Sequence, residues 1–293
     1  MSPARIATLT MLAMVAFAGN SLLCRLALTH TGIDPASFTT IRLVSGALTL
    51  WLVMRARTDA GKGGSAGMPL SAGSWLSALA LFAYAASFSF AYARLPAGSG
   101  ALLLFGAVQA TMIGHGIWAG ERLRSLQLTG MALASAGLVG LLLPGISAPP
   151  LGAATLMLCS GAAWGVYSLR GRGKGDPVQV TTGNFLRAAP IALALSLLMA
   201  GYMAVDAEGL LYALASGALT SAIGYIIWYT ALPALKATSA ATVQLSVPVI
   251  AALGGAALLG EPITLRLLLA SVAVLGGIAL VILEKRVSGQ RGP

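Results

Sequence analysis

Few side chains in this sequence are equipped for chemistry, and those that are sit inside long apolar stretches. Asn20 stands between Gly19 and Ser21 in one such run, and Gln109 and Gln244 occupy similar settings further along. A buried amide must find a partner or a ligand, so each either offers donors and acceptors to a polar solute or ties neighbouring segments together. Trp164 and Tyr167 are three residues apart, which on a helix puts both on one face, and Tyr84 and Tyr225 also lie mid-stretch. Their rings suit an apolar or aromatic group and can attract an ammonium by roughly 0.5–2 kcal/mol. Anchoring at the membrane–water boundary, the competing use of such rings, fits Trp51, Trp75, Trp118 and Tyr202 better, because these lie near stretch ends. Arg42 and Arg187 follow the pairs Asp34-Pro35 and Asp176-Pro177 at matching positions. An arginine at membrane depth either meets a substrate carboxylate or satisfies helix ends and gates; the duplication favours a structural or gating role for both. Arg25, near the end of its stretch, can extend its head to the boundary.

Other chemistries lack their parts. Cys24 and Cys159 lie apart in apolar surroundings, and His30 and His115 are the only histidines, so neither a metal nor a cofactor is expected. All eight acids fall in loops or at stretch ends, which leaves no intramembrane carboxylate pair, and an enzyme is not expected. Glu121 and Glu261 each follow a glycine and are read as caps for the helix after them.

The segments that must position these residues follow from composition. The chain has 293 residues, 57% hydrophobic and only 9% charged, with a mean hydropathy of +0.86. Soluble chains carry about 25% charged residues, so this composition describes a protein whose solvent is largely lipid. The net charge of +10 is not a nucleic-acid footprint, because the basic residues lie mostly in short breaks between apolar runs. Ten runs are long enough to span: Ile6–Leu28, Pro35–Met54, Trp75–Ala93, Gly98–Trp118, Ser125–Leu143, Leu151–Leu169, Val180–Tyr202, Leu210–Leu232, Ala237–Leu259 and Leu265–Leu283. Each is predicted helical, since lipid offers no partner for backbone amides. Ala16-Phe17-Ala18 resembles a signal-peptide cleavage site, but the apolar run continues past it, so the first segment is read as a span.

An inner-membrane protein with both termini cytoplasmic places Arg5, Arg55, Arg57, Lys62, Arg122, Arg124, Arg170, Arg172, Lys174, Lys236, Lys285, Arg286 and Arg291 inside, and only Arg94 and Arg266 outside. The stretch from Gly61 to Gly67 becomes a cytoplasmic linker, and Pro144 to Pro150 an external connection dividing the chain into residues 1–146 and 147–293. Motifs recur in order across that division: Asp34-Pro35 as Asp176-Pro177, Leu95-Pro96 as Leu232-Pro233, Gly120-Glu121 as Gly260-Glu261, and Gly137 as Gly277. Five spans per repeat force the second half to enter from the opposite side. Two inverted repeats with a site at the midplane are the plan of a secondary transporter.

These features resemble the drug/metabolite transporter superfamily, EamA type, most clearly in Tyr225-Ile226-Ile227-Trp228-Tyr229-Thr230-Ala231-Leu232, Pro248 and Gly260-Glu261. Pro248 is expected to break span 9; the equivalent residue before Glu121 is Val108, so span 4 lacks that device. Val108-Gln109-Ala110-Thr111-Met112, Leu143-Pro144-Gly145 and Trp164 to Gly171 look like the YddG branch of aromatic amino acid exporters. The resemblance implies a small-molecule substrate and a cavity built from spans 1, 3, 4, 6, 8 and 9, with spans 5 and 10 peripheral. A nucleotide-sugar or drug carrier is the alternative. Membrane lipid is the other expected partner; a monomer suffices, and a homodimer is compatible.

Overall fold

The computed structural model describes residues 2–59, 72–120, 125–145, 148–171, 176–235 and 243–289. Within these, ten helices follow one another: α1 Pro3–His30, α2 Pro35–Asp59, α3 Trp75–Tyr92, α4 Ala97–Trp118, α5 Ser125–Leu142, α6 Leu151–Gly171, α7 Pro177–Leu198, α8 Ala207–Ala234, α9 Ser246–Leu259 and α10 Leu265–Gly289. Eight are long and apolar enough to cross a membrane, and α9 is a shorter apolar helix. Their outward faces carry large exposed apolar side chains, such as Leu198 at 86% and Val272 at 73%, that only lipid solvates well. The chain is an all-α polytopic membrane protein.

Short polar side chains start the helices where backbone amides have no intrahelical acceptor. Ser74 caps α3 through Ser77 N–H, and Asp176 caps α7 through Val178 N–H. Two further caps join distant loops. Asp34 accepts from the amides of Ala36 and Ser37 in α2 and from Ala204 N–H at 3.0 Å, while Asp206 accepts from Gly209 N–H in α8 and from Gly32 N–H at 3.2 Å. Burial alone would raise the Asp34 carboxyl, but the Ser37 side chain and the three amides outweigh it and hold it below its ordinary value. Asp206 is lowered as well, chiefly by the Gly32 amide and then by Gly209. A carboxyl lowered by folding stabilises the fold above its unfolded pKa of about 3.9 and loses that contribution as pH falls through the native value. Thermal unfolding in detergent is therefore expected to stay flat from about pH 7 to pH 5 and to drop below about pH 4. The Asp34→Asn/Asp206→Asn double variant should be less stable at neutral pH and lose part of the acid sensitivity; an unaltered acid profile would show that the clamp contributes nothing.

The packing order crosses the chain. α2 lies on α7, α5 on α10 and α4 on α9; α3 and α4 lie on α6 as α8 and α9 lie on α1. Small residues permit the closest approaches. Gly161 and Gly165 of α6 face Ala107 and Thr111 of α4, and Gly130 of α5 meets Gly277 of α10 backbone to backbone. Gly120 stands in open space with φ +92° just beyond the end of α4.

Two local departures concern the site. Residues Ser216–Ile223 of α8 are wound as a π-helix, a form that inserts extra residues into a turn and often marks functional positions. The break expected at Pro248 lies earlier: α9 begins at Ser246, after a turn at Leu245, with Pro248 in its first turn, where a missing N–H leaves no intrahelical bond unmade.

Candidate functional site

Halfway along the bundle, aromatic rings from α1, α3, α4, α6 and α8 surround a narrow cavity of ≈ 20 Å³, about the room of one water molecule. Trp164 of α6 is its centre: its ring lies 4.8 Å from Tyr84 in α3, 5.1 Å from Tyr225 in α8 and 5.4 Å from Tyr167, on which it stacks. Phe17 of α1 closes against Tyr225 edge-on at 6.0 Å. Each such pair contributes about 0.5–1.5 kcal/mol beyond burial, so the rings hold one another in place. Leu104 and Phe105 of α4 complete the apolar wall.

A polar seam runs along one side. Asn20 of α1 donates from Nδ2 to Tyr84 Oη at 3.2 Å, and its Oδ1 accepts from Ser216 at 2.8 Å and Thr220 at 3.3 Å, both in the π-helical part of α8. One amide therefore links α1, α3 and α8 while lining the cavity, so the two uses open to it coincide. Behind Tyr84 lies Arg42 of α2, only 2% exposed. Its Nε donates to Ser221 Oγ at 3.1 Å and its Nη2 to Tyr84 Oη at 3.0 Å; its guanidinium sits 5.2 Å from the Tyr84 ring centre and 5.0 Å from that of Phe88.

The other expected residues distribute differently. Tyr167 lies one layer behind Trp164 and receives a 3.5 Å hydrogen bond from Asn184. Gln109 is buried in α4, and Gln244 and Pro248 lie at the beginning of α9; none lines the cavity, and α9 contributes nothing to it. Arg187 does not mirror Arg42. It donates to the carbonyls of Ala72 at 2.7 Å and Gly183 at 3.0 Å, with Trp75 5.9 Å away, and so ties the start of α3 to α7. With Arg170 donating to Ser77 and Ser74 N–H to Asn184, it fastens one end of the bundle below the cavity.

The opposite end is fastened by Arg25, whose sequence position suggested an exposed head. It is instead paired with Glu261 at 2.8 Å and donates to the Tyr92 carbonyl at 2.9 Å. Glu261, expected to cap α10, accepts from Ala97 N–H at 2.7 Å and so caps α4. Glu121 lies outside the described residues. Ser216, Thr220, Ser221 and Phe88 were not singled out from sequence; serines and threonines are too frequent in these spans for any one to stand out.

Among the described residues, a helical bundle thus gathers polar and aromatic groups at mid-depth between fastenings at both ends. Residues 151–283, in the second half of the chain, match the EamA-like transporter family. An uncharacterized protein of Pseudomonas aeruginosa is 57% identical over 274 residues, spanning 94% of this chain and 93% of that one. The crystal structure of a protein 18% identical in sequence superposes with a TM-score of 0.68 over 98% of this chain and 99% of the other, which shows a shared fold.

Proposed function

We propose that the protein is a secondary transporter exporting small amphipathic metabolites, amino acids including aromatic ones, by alternating access. The observation that carries this is the cavity between Tyr84, Trp164 and Tyr225, where ring faces stand beside the Asn20 amide in a chain whose second half matches a transporter family. The rings offer an apolar slot and Asn20 a polar edge, which together match a solute with one apolar and one polar end.

Division into inverted repeats, residues 1–146 and 147–293, is supported by the matched order in which the helices pack and by the odd number of spans in each half. The basic-residue asymmetry supports an inner-membrane location with both termini cytoplasmic. Alternating access then consists of releasing the Arg25–Glu261 and Arg187–Ala72 fastenings in turn.

Transport runs without a carboxylate proton relay, since no Asp or Glu lies in a span interior. His115 is exposed near the end of α4 beside Trp118, away from the cavity. Proteoliposomes loaded with labelled L-phenylalanine should equilibrate it downhill at a rate independent of an imposed pH gradient. Accumulation that collapses with an uncoupler and vanishes in His115→Ala would reverse this reading of the energetics.

A further inference from the structure

Arg42 is a buried cation with no ion-pair partner among the described residues. The ion pair among the described residues, Arg25–Glu261, is spent at one end of the bundle, and all eight acids of the sequence fall in loops or at helix ends. Against Arg42 stand two ring faces, Tyr84 and Phe88, whose quadrupoles replace a carboxylate only weakly.

The hydrogen-bond inventory points the same way. Arg42 uses Nε and Nη2, but its Nη1 is buried with no acceptor. The Tyr225 hydroxyl is likewise buried and unpartnered, and its ring is joined through Trp164, at 5.1 and 4.8 Å, to the Tyr84 ring that Arg42 meets. Tyr84 Oη already accepts from both Asn20 and Arg42, so its own proton is free for an acceptor. Surplus donors and a surplus positive charge thus stand on or behind two rings, Tyr84 and Tyr225, that line the cavity. Buried donors in native proteins are matched by acceptors.

We infer that the transported solute must carry a carboxylate, which Arg42 Nη1 and the hydroxyls of Tyr225 and Tyr84 receive while the solute's apolar part lies against Trp164. This rests on the aromatic cavity being the transport site. It makes Arg42 the residue that selects anionic and zwitterionic solutes, and it excludes cationic drugs that have rings but no acid group. The duplication of Arg42 and Arg187 in sequence does not oppose it, because Arg187 is engaged with carbonyls at the start of α3 and in α7.

The test uses the full chain, purified and reconstituted, with probes that separate the two ends of the solute: L-phenylalanine, phenylacetate, 2-phenylethylamine and the aliphatic acid hexanoate. Thermal stabilisation and competition against uptake are read for each. L-phenylalanine and phenylacetate should bind and 2-phenylethylamine should not. Tyr225→Phe, which removes one hydroxyl and keeps the ring, should weaken both acids about tenfold. Arg42→Gln should weaken them about a hundredfold, with Arg42→Lys falling between. Binding of 2-phenylethylamine as tight as that of L-phenylalanine, or wild-type affinity for phenylacetate in Tyr225→Phe and Arg42→Gln alike, would overturn the carboxylate requirement and leave the aromatic site standing. Arg42-dependent binding of hexanoate with no response to either aromatic acid would leave the carboxylate site standing and remove the aromatic one. No binding of any acid would remove both.

Discussion

Replacing Trp164 by alanine is expected to lower transport tenfold to a hundredfold while the protein still inserts and stays monodisperse in detergent. Trp164 is the ring shared by three contacts, with Tyr84, Tyr167 and Tyr225, and losing them forfeits roughly 0.5–1.5 kcal/mol of ordering in the cavity wall for each. A factor of ten corresponds to about 1.4 kcal/mol, which sets the range. Asn20→Ala should reach a similar loss by another route: it leaves the Ser216 and Thr220 hydroxyls without their shared acceptor and frees Tyr84 from α1. Fluorescence-detected size exclusion reports insertion, and initial uptake rates in proteoliposomes report function. Normal uptake in both variants would assign these residues to packing alone.

The largest effect on stability is expected at Gly277→Leu. A Cβ at position 277 would fall inside 3.0 Å of the Gly130 carbonyl and of Ala134 N in α5, and neither backbone atom can rotate away. Overpacking of this kind costs about 3 kcal/mol or more, equivalent to a fall of about 6–12 °C in the unfolding midpoint of a chain this size. Gly276, the adjacent residue, meets nothing within 4 Å, so Gly276→Leu is the matched control and should unfold with wild type. Equal midpoints for the two variants would show that α5 and α10 are not held by this contact.

What could be read from the sequence and what could not divides along physical lines. The ten helices were legible because lipid leaves the backbone one way to bond itself, and an apolar stretch of sufficient length states the result directly. Asn20, Tyr84, Trp164 and Tyr225 were legible as a group because a polar or aromatic residue in mid-span has few uses, and the fold does bring the four to one cavity. Gln109 and Gln244 met the same criterion and lie elsewhere, since mid-span depth says nothing about which way a helix face is turned. Arg42 and Arg187 show the limit of symmetry: similar places in sequence, but one backs the cavity while the other holds the start of α3, because Ala72 to Ser74 happens to run against α7. The Arg25–Glu261 pair was invisible because its partners are 236 residues apart and neither is unusual at the end of a span. No propensity foretold the winding of Ser216–Ile223, a segment that packs against α1 and α2.

That winding gives α8 slack. In an α-helix each residue turns the chain by about 100°, so one residue too many in a turn offsets everything beyond it by that angle. A wide turn can travel along a helix by trading i→i+5 for i→i+4 bonds, one residue at a time, and the residues it passes rotate while the two ends keep their places. In α8 one end is pinned by the Asp206 cap, and the travelling segment would carry Ser216, Thr220 and Ser221, the partners of Asn20 and Arg42. The helix thus carries in its own thread the slack that would let the polar seam turn relative to the rings.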